Sequence, residues 1–272
     1  MSSPPLTHRP CITFLTDFGT RDTYVGQMKG VAIGINPNLH LVDLSHEIPP
    51  QQVLRGAYAW NDGIDAFPKG TVHVGVVDPG VGSDRRLIAA EIEGQRFVCP
   101  DNGLLSVILE RSTLQRAVVL DQPRWWRSIV SSTFHGRDIL TPVAAAWSLG
   151  HDIRELGSTL TTPIVTLPLP RKSKGRNSVS GQVVEIDHFG NLITNIDASD
   201  LPKTFASFKV EIGSFPILGL THCYAEGDPG EPMTLVGSAG RLEIAVRDGS
   251  AAEEFQSPLG QRITVRWTEV AQ

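Results

Sequence analysis

A carboxylate, a guanidinium and an imidazole gathered around one water molecule can take its proton and stabilise the hydroxide that forms. Asp78 and Arg85, in the stretch VVDPGVGSDRR at 76–86, and His135, in TFHGRD at 133–138, supply those three groups. The first stretch is an apolar run broken at Pro79 and two glycines, a turn along which backbone passes close to a ligand and Arg85 folds back toward Asp78. Read singly, it is equally a hairpin carrying a surface ion pair worth about 0–1 kcal/mol. His135, flanked by Gly136, is sterically accessible just before a helix, and singly it also reads as a cap or a satisfied core histidine.

Two further loops bear groups suited to binding. Asp17 follows directly on an apolar run, at the position where the carboxyl end of a parallel strand opens on a ligand crevice. There its carboxylate is placed to accept hydrogen bonds from the vicinal hydroxyls of a ribose; the competing reading makes Asp17 or Thr20 the cap of the next helix. The stretch DHFGNLITN at 187–195 offers Asp187 for an ammonium group, Phe189 as an aromatic face and Asn191 as an amide matched to a purine edge. It is also an ordinary Asp/Gly/Asn turn between strands. With no GxGxxG and no GxxxxGK[ST], nothing announces a dinucleotide or a triphosphate, and a neutral or cationic nucleoside remains open.

The elements that must position these loops follow from periodicity. Cys11 to Leu15, Leu39 to Leu44 and Thr71 to Val77 read as strands; Tyr24 to Asn36 and Val53 to Phe67 read as the helices between them. Paired strands are expected at Leu87 to Ile92 and Arg96 to Cys99, then helices at Gly103 to Arg111 and Ile139 to Leu149, the last ended by Gly150. This is α/β alternation around a mostly parallel central sheet, assigned to residues 11–163 after a disordered tail at 1–10. A linker dense in Pro, Ser, Lys and Gly covers 164–179, and short β-type runs beyond it predict a smaller all-β, barrel-like domain at 180–272.

Composition narrows the classes. A 272-residue chain that is 40% hydrophobic buries a substantial core. A net charge of −5 supplies no field for a polyanion, so nucleic acid is not expected, and no stretch has the length of a membrane span. Cys11, Cys99 and Cys223 are odd in number and without CxxC spacing, which argues against a disulfide framework or a zinc site and for a reducing, cytoplasmic setting.

Taken together and in order, TDFGT at 16–20, VVDPGVGSDRR, FHGRD, DHFGNLITN and SAGRLEIAV at 238–246 resemble the S-adenosylmethionine (SAM) hydrolases, or SAM hydroxide adenosyltransferases, over nearly the whole chain. The resemblance implies that Asp78, Arg85 and His135 activate water for attack on the ribose C5′ of SAM, giving adenosine and methionine. It implies that Asp17 holds the ribose hydroxyls, Asp187 the methionine ammonium and Ser238 its carboxylate, while Asn191 and backbone near Val246 meet the adenine. Phe189 packs on the base, and Glu243 belongs to the same ligand-side strand. It further implies no metal, no cofactor, and a homotrimer with the site between subunits.

The related fluorinases and chlorinases use a halide in place of water. They are similar to this chain except that fluorinases carry tyrosine at Asp78, serine at Gly136 and arginine at Ala239, and a small insertion after the VVDPGVG loop that is absent here. These departures favour water. Three rivals remain: a metal-dependent hydrolase built on His135, Asp78 and Asp138, a non-catalytic SAM or adenosine-binding module, and a halogenase.

Overall fold

The structure is a computed structural model that describes residues 9–256 and 258–270, so the expected tail lies outside it except for Arg9 and Pro10. The chain divides into two compact units, one up to Pro168 and one from Leu169.

In chain order the first unit comprises β1 (Cys11–Thr16), α1 (Tyr24–Ile35), β2 (His40–Ser45), α2 (Val53–Ile64), β3 (Val72–Val76), β4 (Leu87–Ile92) and β5 (Gln95–Pro100). It continues with α3 (Ser106–Arg111), β6 (Leu114–Val119), a single π-helical turn at Gly136–Leu140, α4 (Thr141–Ser148), α5 (Ile153–Leu156) and β7 (Ser158–Thr159). The strands form one sheet in the order β2-β1-β3-β5-β4-β6-β7. The first four are parallel to one another, and β4, β6 and β7 extend the sheet antiparallel. Alternation along each strand sends side chains to both faces. Ile12, Phe14, Val74 and Val76 pack with Met28 and Ala32 of α1 and Trp147 of α4. Leu15, Ile88 and Phe97 pack with Trp60 of α2 and Ile108 of α3.

Because β2 and β3 lie on opposite sides of β1, chain connections diverge at the carboxyl ends of β1 and β3, where such sheets form their crevice. Thr16 pairs with Val76, so the loops bearing Asp17 and Asp78 leave the sheet side by side. Two expected helices are shorter than the apolar pattern suggested. Gly103, at φ +101°, starts a turn before α3, and Gly136–Leu140 widens into the π turn before α4.

His73 on β3 is wholly buried, its Nδ1 2.7 Å from Thr13 Oγ1 and its ring stacked on Phe97. Burial pushes its pKa down to about 4. The unfolded chain therefore binds the proton more readily, and this contribution to stability is complete above pH 6.5 and lost as pH falls through 4. The shift corresponds to about 3 kcal/mol. Denaturant midpoints measured at pH 7 and 4.5 are expected to fall less in His73→Asn than in the parent; equal falls would remove His73 from the acid response.

The second unit contains β8 (Ser173–Gly175), β9 (Ser178–Ile186), β10 (Leu192–Asp197), β11 (Ser207–Ile212), β12 (Phe215–Leu218), β13 (Pro232–Val236), β14 (Arg241–Val246), α6 (Ala251–Glu254) and β15 (Arg262–Thr268). These strands pair antiparallel, in the order β12-β11-β15-β9-β10-β14-β13, with β8 added to β9. The chain just past β12 then meets β13. Thr221 N–H donates to Thr234 O at 2.9 Å and Thr234 Oγ1 donates to Gly219 O at 2.6 Å, which brings the two ends of the sheet together into a nearly closed barrel. Val183, Leu192, Ile196, Val210, Ile244 and Val265 fill the interior.

Candidate active site

Asp78, Arg85 and His135 meet. Arg85 Nε donates to Asp78 Oδ1 at 2.6 Å and Nη2 donates to Asp78 Oδ2, a two-pronged ion pair with both side chains at most 10% exposed. The same guanidinium reaches His135 Nδ1, 3.3 Å from Nη1 and 3.2 Å from Nη2. Arginine has only hydrogens to offer, so Nδ1 accepts, and the neutral imidazole carries its proton on Nε2. Burial first, then the Arg85 charge, push the His135 pKa below its ordinary value, with Asp78 and Asp138 pulling the other way. The paired arginines diverge in role: Arg86 turns to Asp101 and donates to Pro163 O at 3.0 Å.

Backbone proximity holds the two loops together. Gly82 sits at φ +81°, and a Cβ there would stand 2.5 Å from Ser132 O, so only glycine lets the Asp78–Arg85 turn lie against the segment leading to His135. That segment is anchored by Asp138, which is fully buried. Asp138 accepts from Arg137 Nε at 2.7 Å, Arg127 Nη1 at 3.0 Å and Ser131 N at 2.9 Å. Burial alone would raise its pKa; Arg137, the Ser131 N–H and Arg127 more than offset this and hold it below the usual carboxylate range. Asp138 is thus committed to two arginines, one of them its chain neighbour and the other 11 residues away.

Asp17 caps no helix. Its Oδ2 accepts from Gln51 N at 2.7 Å, holding Gln51 in a left-handed conformation at φ +65°, and α1 begins after Thr23 without a side-chain cap. The neighbours of Asp17 and His135 touch: Phe18 and Phe134 rings lie 5.8 Å apart edge to face, and Tyr24 completes the cluster. A Cβ on Gly136 would meet Val76 and Met28 at 3.4–3.5 Å, ordinary contact with apolar walls.

In the second unit Asp187 organises its own turn. Its Oδ1 accepts from Phe189 N at 2.9 Å and Asn191 N at 2.8 Å, and its Oδ2 accepts from Asn191 Nδ2 at 2.8 Å. Asn191 is buried, while Phe189 is 72% exposed and touches only the His188 ring among aromatic neighbours. Ser238 is exposed in the turn before β14. Glu243 is buried beneath Gly237, where it accepts from Tyr224 Oη at 2.8 Å. Burial, then the bond to Glu243, push the Tyr224 pKa up to about 12. Val246 places its side chain in the barrel core and its carbonyl accepts from Gly249 N at 3.2 Å. Tyr224 escaped sequence reading because it lies in a single 3-10 turn, Tyr224–Glu226, 19 residues before Glu243.

A partly buried acid–guanidinium–imidazole cluster at the switch point of a mostly parallel sheet, followed by a separate β-barrel unit, defines a two-unit α/β enzyme. Family models for the SAM hydroxide adenosyltransferase N-terminal and C-terminal domains match residues 12–157 and 181–264. The chain belongs to the SAM hydroxide adenosyltransferase family. It is 35% identical over 258 residues to an (R)-S-adenosyl-L-methionine hydrolase of Salinispora tropica, covering 94% of this chain and 97% of the relative. It is 29% identical to a fluorinase of an Actinoplanes species over 294 residues, covering 96% and 99%. A crystal structure of an uncharacterized conserved protein from Thermotoga maritima is similar with a TM-score of 0.89 at 32% identity, covering 94% of this chain and 99% of that one.

Proposed function

We propose that the enzyme hydrolyses S-adenosyl-L-methionine to adenosine and L-methionine. The observation that carries this reading is the single Arg85 guanidinium shared by Asp78 and His135. Water attacks C5′ in line with the C–S bond; the O–C5′ bond forms, the C5′–S bond breaks, and its electron pair stays on sulfur as a neutral thioether. The leaving group needs no acid, so the chemistry concentrates on the nucleophile. Arg85 and the Nε2–H of His135 favour the hydroxide-like oxygen, and Asp78, whose oxygens retain lone pairs beyond those given to Arg85, takes the proton and passes it to solvent. Asp17 holds the ribose, Asp187 the methionine ammonium and Ser238 its carboxylate, Asn191, Phe189 and backbone near Val246 meet the adenine, and Glu243 belongs to the same ligand-side strand.

No metal or cofactor enters this scheme. Arg85 supplies the positive charge beside Asp78 and His135 that the developing hydroxide needs. The setting that fits is the cytoplasm, with Cys11, Cys99 and Cys223 all free thiols and, among the described residues, no helix long and apolar enough to cross a membrane. The accompanying assembly is a homotrimer, which light scattering tests.

Incubation of the purified protein with SAM in oxygen-18 water is expected to yield methionine and adenosine labelled at the 5′ hydroxyl, unchanged by chelator. Binding without turnover would replace the reading by a SAM-binding module, 5′-chloroadenosine in high chloride by a halogenase, and chelator-sensitive turnover by a metal-dependent hydrolase. Protonating His135 at Nδ1 would set two cations face to face, so kcat is expected to fall at low pH with an inflection below the ordinary histidine value near 6.5. A profile flat from pH 4 to 8 would remove that role.

A further inference from the structure

Behind Asp17 lies a polar chain that the reaction scheme does not use. Thr16 Oγ1 and His46 Nδ1 are 2.8 Å apart, His46 Nε2 and Asp43 Oδ1 are 2.9 Å apart, and Lys29 Nζ reaches Asp43 Oδ2 at 2.6 Å. Thr16 is fully buried and His46 nearly so, while Asp43 sits at the surface of β2. The order hydroxyl, imidazole, carboxylate is that of a hydrolase triad, yet Thr16 is no nucleophile: it has no exposure, and its Oγ1 already accepts from Phe18 N at 3.2 Å.

Proton bookkeeping orients the chain. With Phe18 N–H donating into Thr16 Oγ1, the threonine hydrogen is available to His46 Nδ1, while Asp43 Oδ1 stands 2.9 Å from Nε2 without a hydrogen bond between them. His46 also accepts from Gly19 N through its carbonyl, at 2.7 Å, so both ends of the Asp17–Phe18 segment are fastened to this one residue. Gly19 takes φ +65°, which closes the turn. Asp17 places one oxygen on Gln51 N, which restricts the rotation of its carboxylate.

We propose that His46 is a positioning residue for ribose recognition, its ring on Thr16 and its carbonyl on Gly19 setting the turn that carries Asp17. This rests on the reading of Asp17 as the ribose ligand. A carboxylate that accepts from two vicinal hydroxyls at once tolerates little rotation, and a displacement of order 1 Å weakens both bonds together. The chain lies away from Asp78, Arg85 and His135 in the hydrogen-bond network, so its loss separates binding from chemistry.

The test compares steady-state kinetics on SAM and on its 2′-deoxyribose analogue for the parent, Asp17→Asn, His46→Leu, His46→Asn and Thr16→Val. His46→Leu is expected to raise KM for SAM roughly tenfold with kcat little changed, and to erase most of the preference for SAM over the deoxy analogue. His46→Asn, whose amide falls near Nδ1 and can take the Thr16 hydrogen, recovers part of that preference. Thr16→Val, nearly the same shape without the hydroxyl, reproduces the loss should the leucine variant fail to fold. The double variant with Asp17→Asn loses no more than Asp17→Asn alone. If Asp17→Asn removes the preference while His46→Leu and Thr16→Val keep it, the positioning role is wrong and the ribose reading stands. If Asp17→Asn itself keeps the preference, both fall.

Discussion

Arg85→Ala is expected to lower kcat by about 10²–10³-fold, the range found when one preorganised charge donor is taken from a developing oxyanion. It is also expected to destabilise the first unit by about 3–5 kcal/mol, because Asp78 would stay buried as an uncompensated carboxylate. Both effects arise from one geometry: the guanidinium fills both Asp78 oxygens and the His135 lone pair at once. Lysine keeps the charge without the planar fork, so Arg85→Lys is expected to regain part of the stability and little of the rate. Chemical denaturation and turnover on SAM separate the two. The double variant Asp78→Ala/Arg85→Ala should be more stable than Arg85→Ala alone yet equally inactive, since removing both partners relieves the stranded charge. An Arg85→Ala enzyme retaining more than about a tenth of parental turnover would overturn the assignment.

Gly82→Ala is expected to be as damaging from a residue with no chemistry of its own. Alanine at φ +81° is strained, and its Cβ would meet the Ser132 carbonyl at 2.5 Å, a backbone atom that no rotamer change moves away. The strain alone is about 1–3 kcal/mol, and its relief must separate the Arg85 loop from the His135 segment. A shift of order 1 Å between these groups lowers kcat about 10²-fold. Gly30→Ala serves as the control: it lies in α1, nothing stands within 4 Å of its Cβ, and φ there is not positive. A Gly82→Ala protein with parental kcat and melting temperature would show that the two loops are not held by this contact.

Much of the architecture was legible in the chain. Apolar runs such as Ile12 to Leu15 and Val72 to Val76 alternate with helical segments such as Val53–Ile64, and the breaks between them are glycine and proline. These are local effects of pattern and turn chemistry, which act over a few residues. Leu114–Val119 was not anticipated as a strand: it begins Leu-Gln-Arg with all three exposed and owes its form to hydrogen bonding with β4. The π turn at Gly136–Leu140 was equally silent, being held by Thr141 Oγ1 on Gly136 O.

The candidate site divides in the same way. Residue types and loop positions marked Asp17, Asp78, Arg85 and His135, because strand ends and glycine-rich turns are visible in one dimension. Whether Arg85 or Arg86 faces His135, whether Asp138 is a ligand or an anchor, and that His46 stands behind Thr16 were matters for the tertiary structure. Each depends on groups 11 to 50 residues apart being brought within hydrogen-bond reach. Hydrogen bonds fall off within fractions of an ångström, whereas sequence pattern resolves only which face or which end of an element a residue occupies. The chain alone therefore determined which groups reach the crevice, and only the packing of the Gly82 turn against Ser132 decided which of them touch.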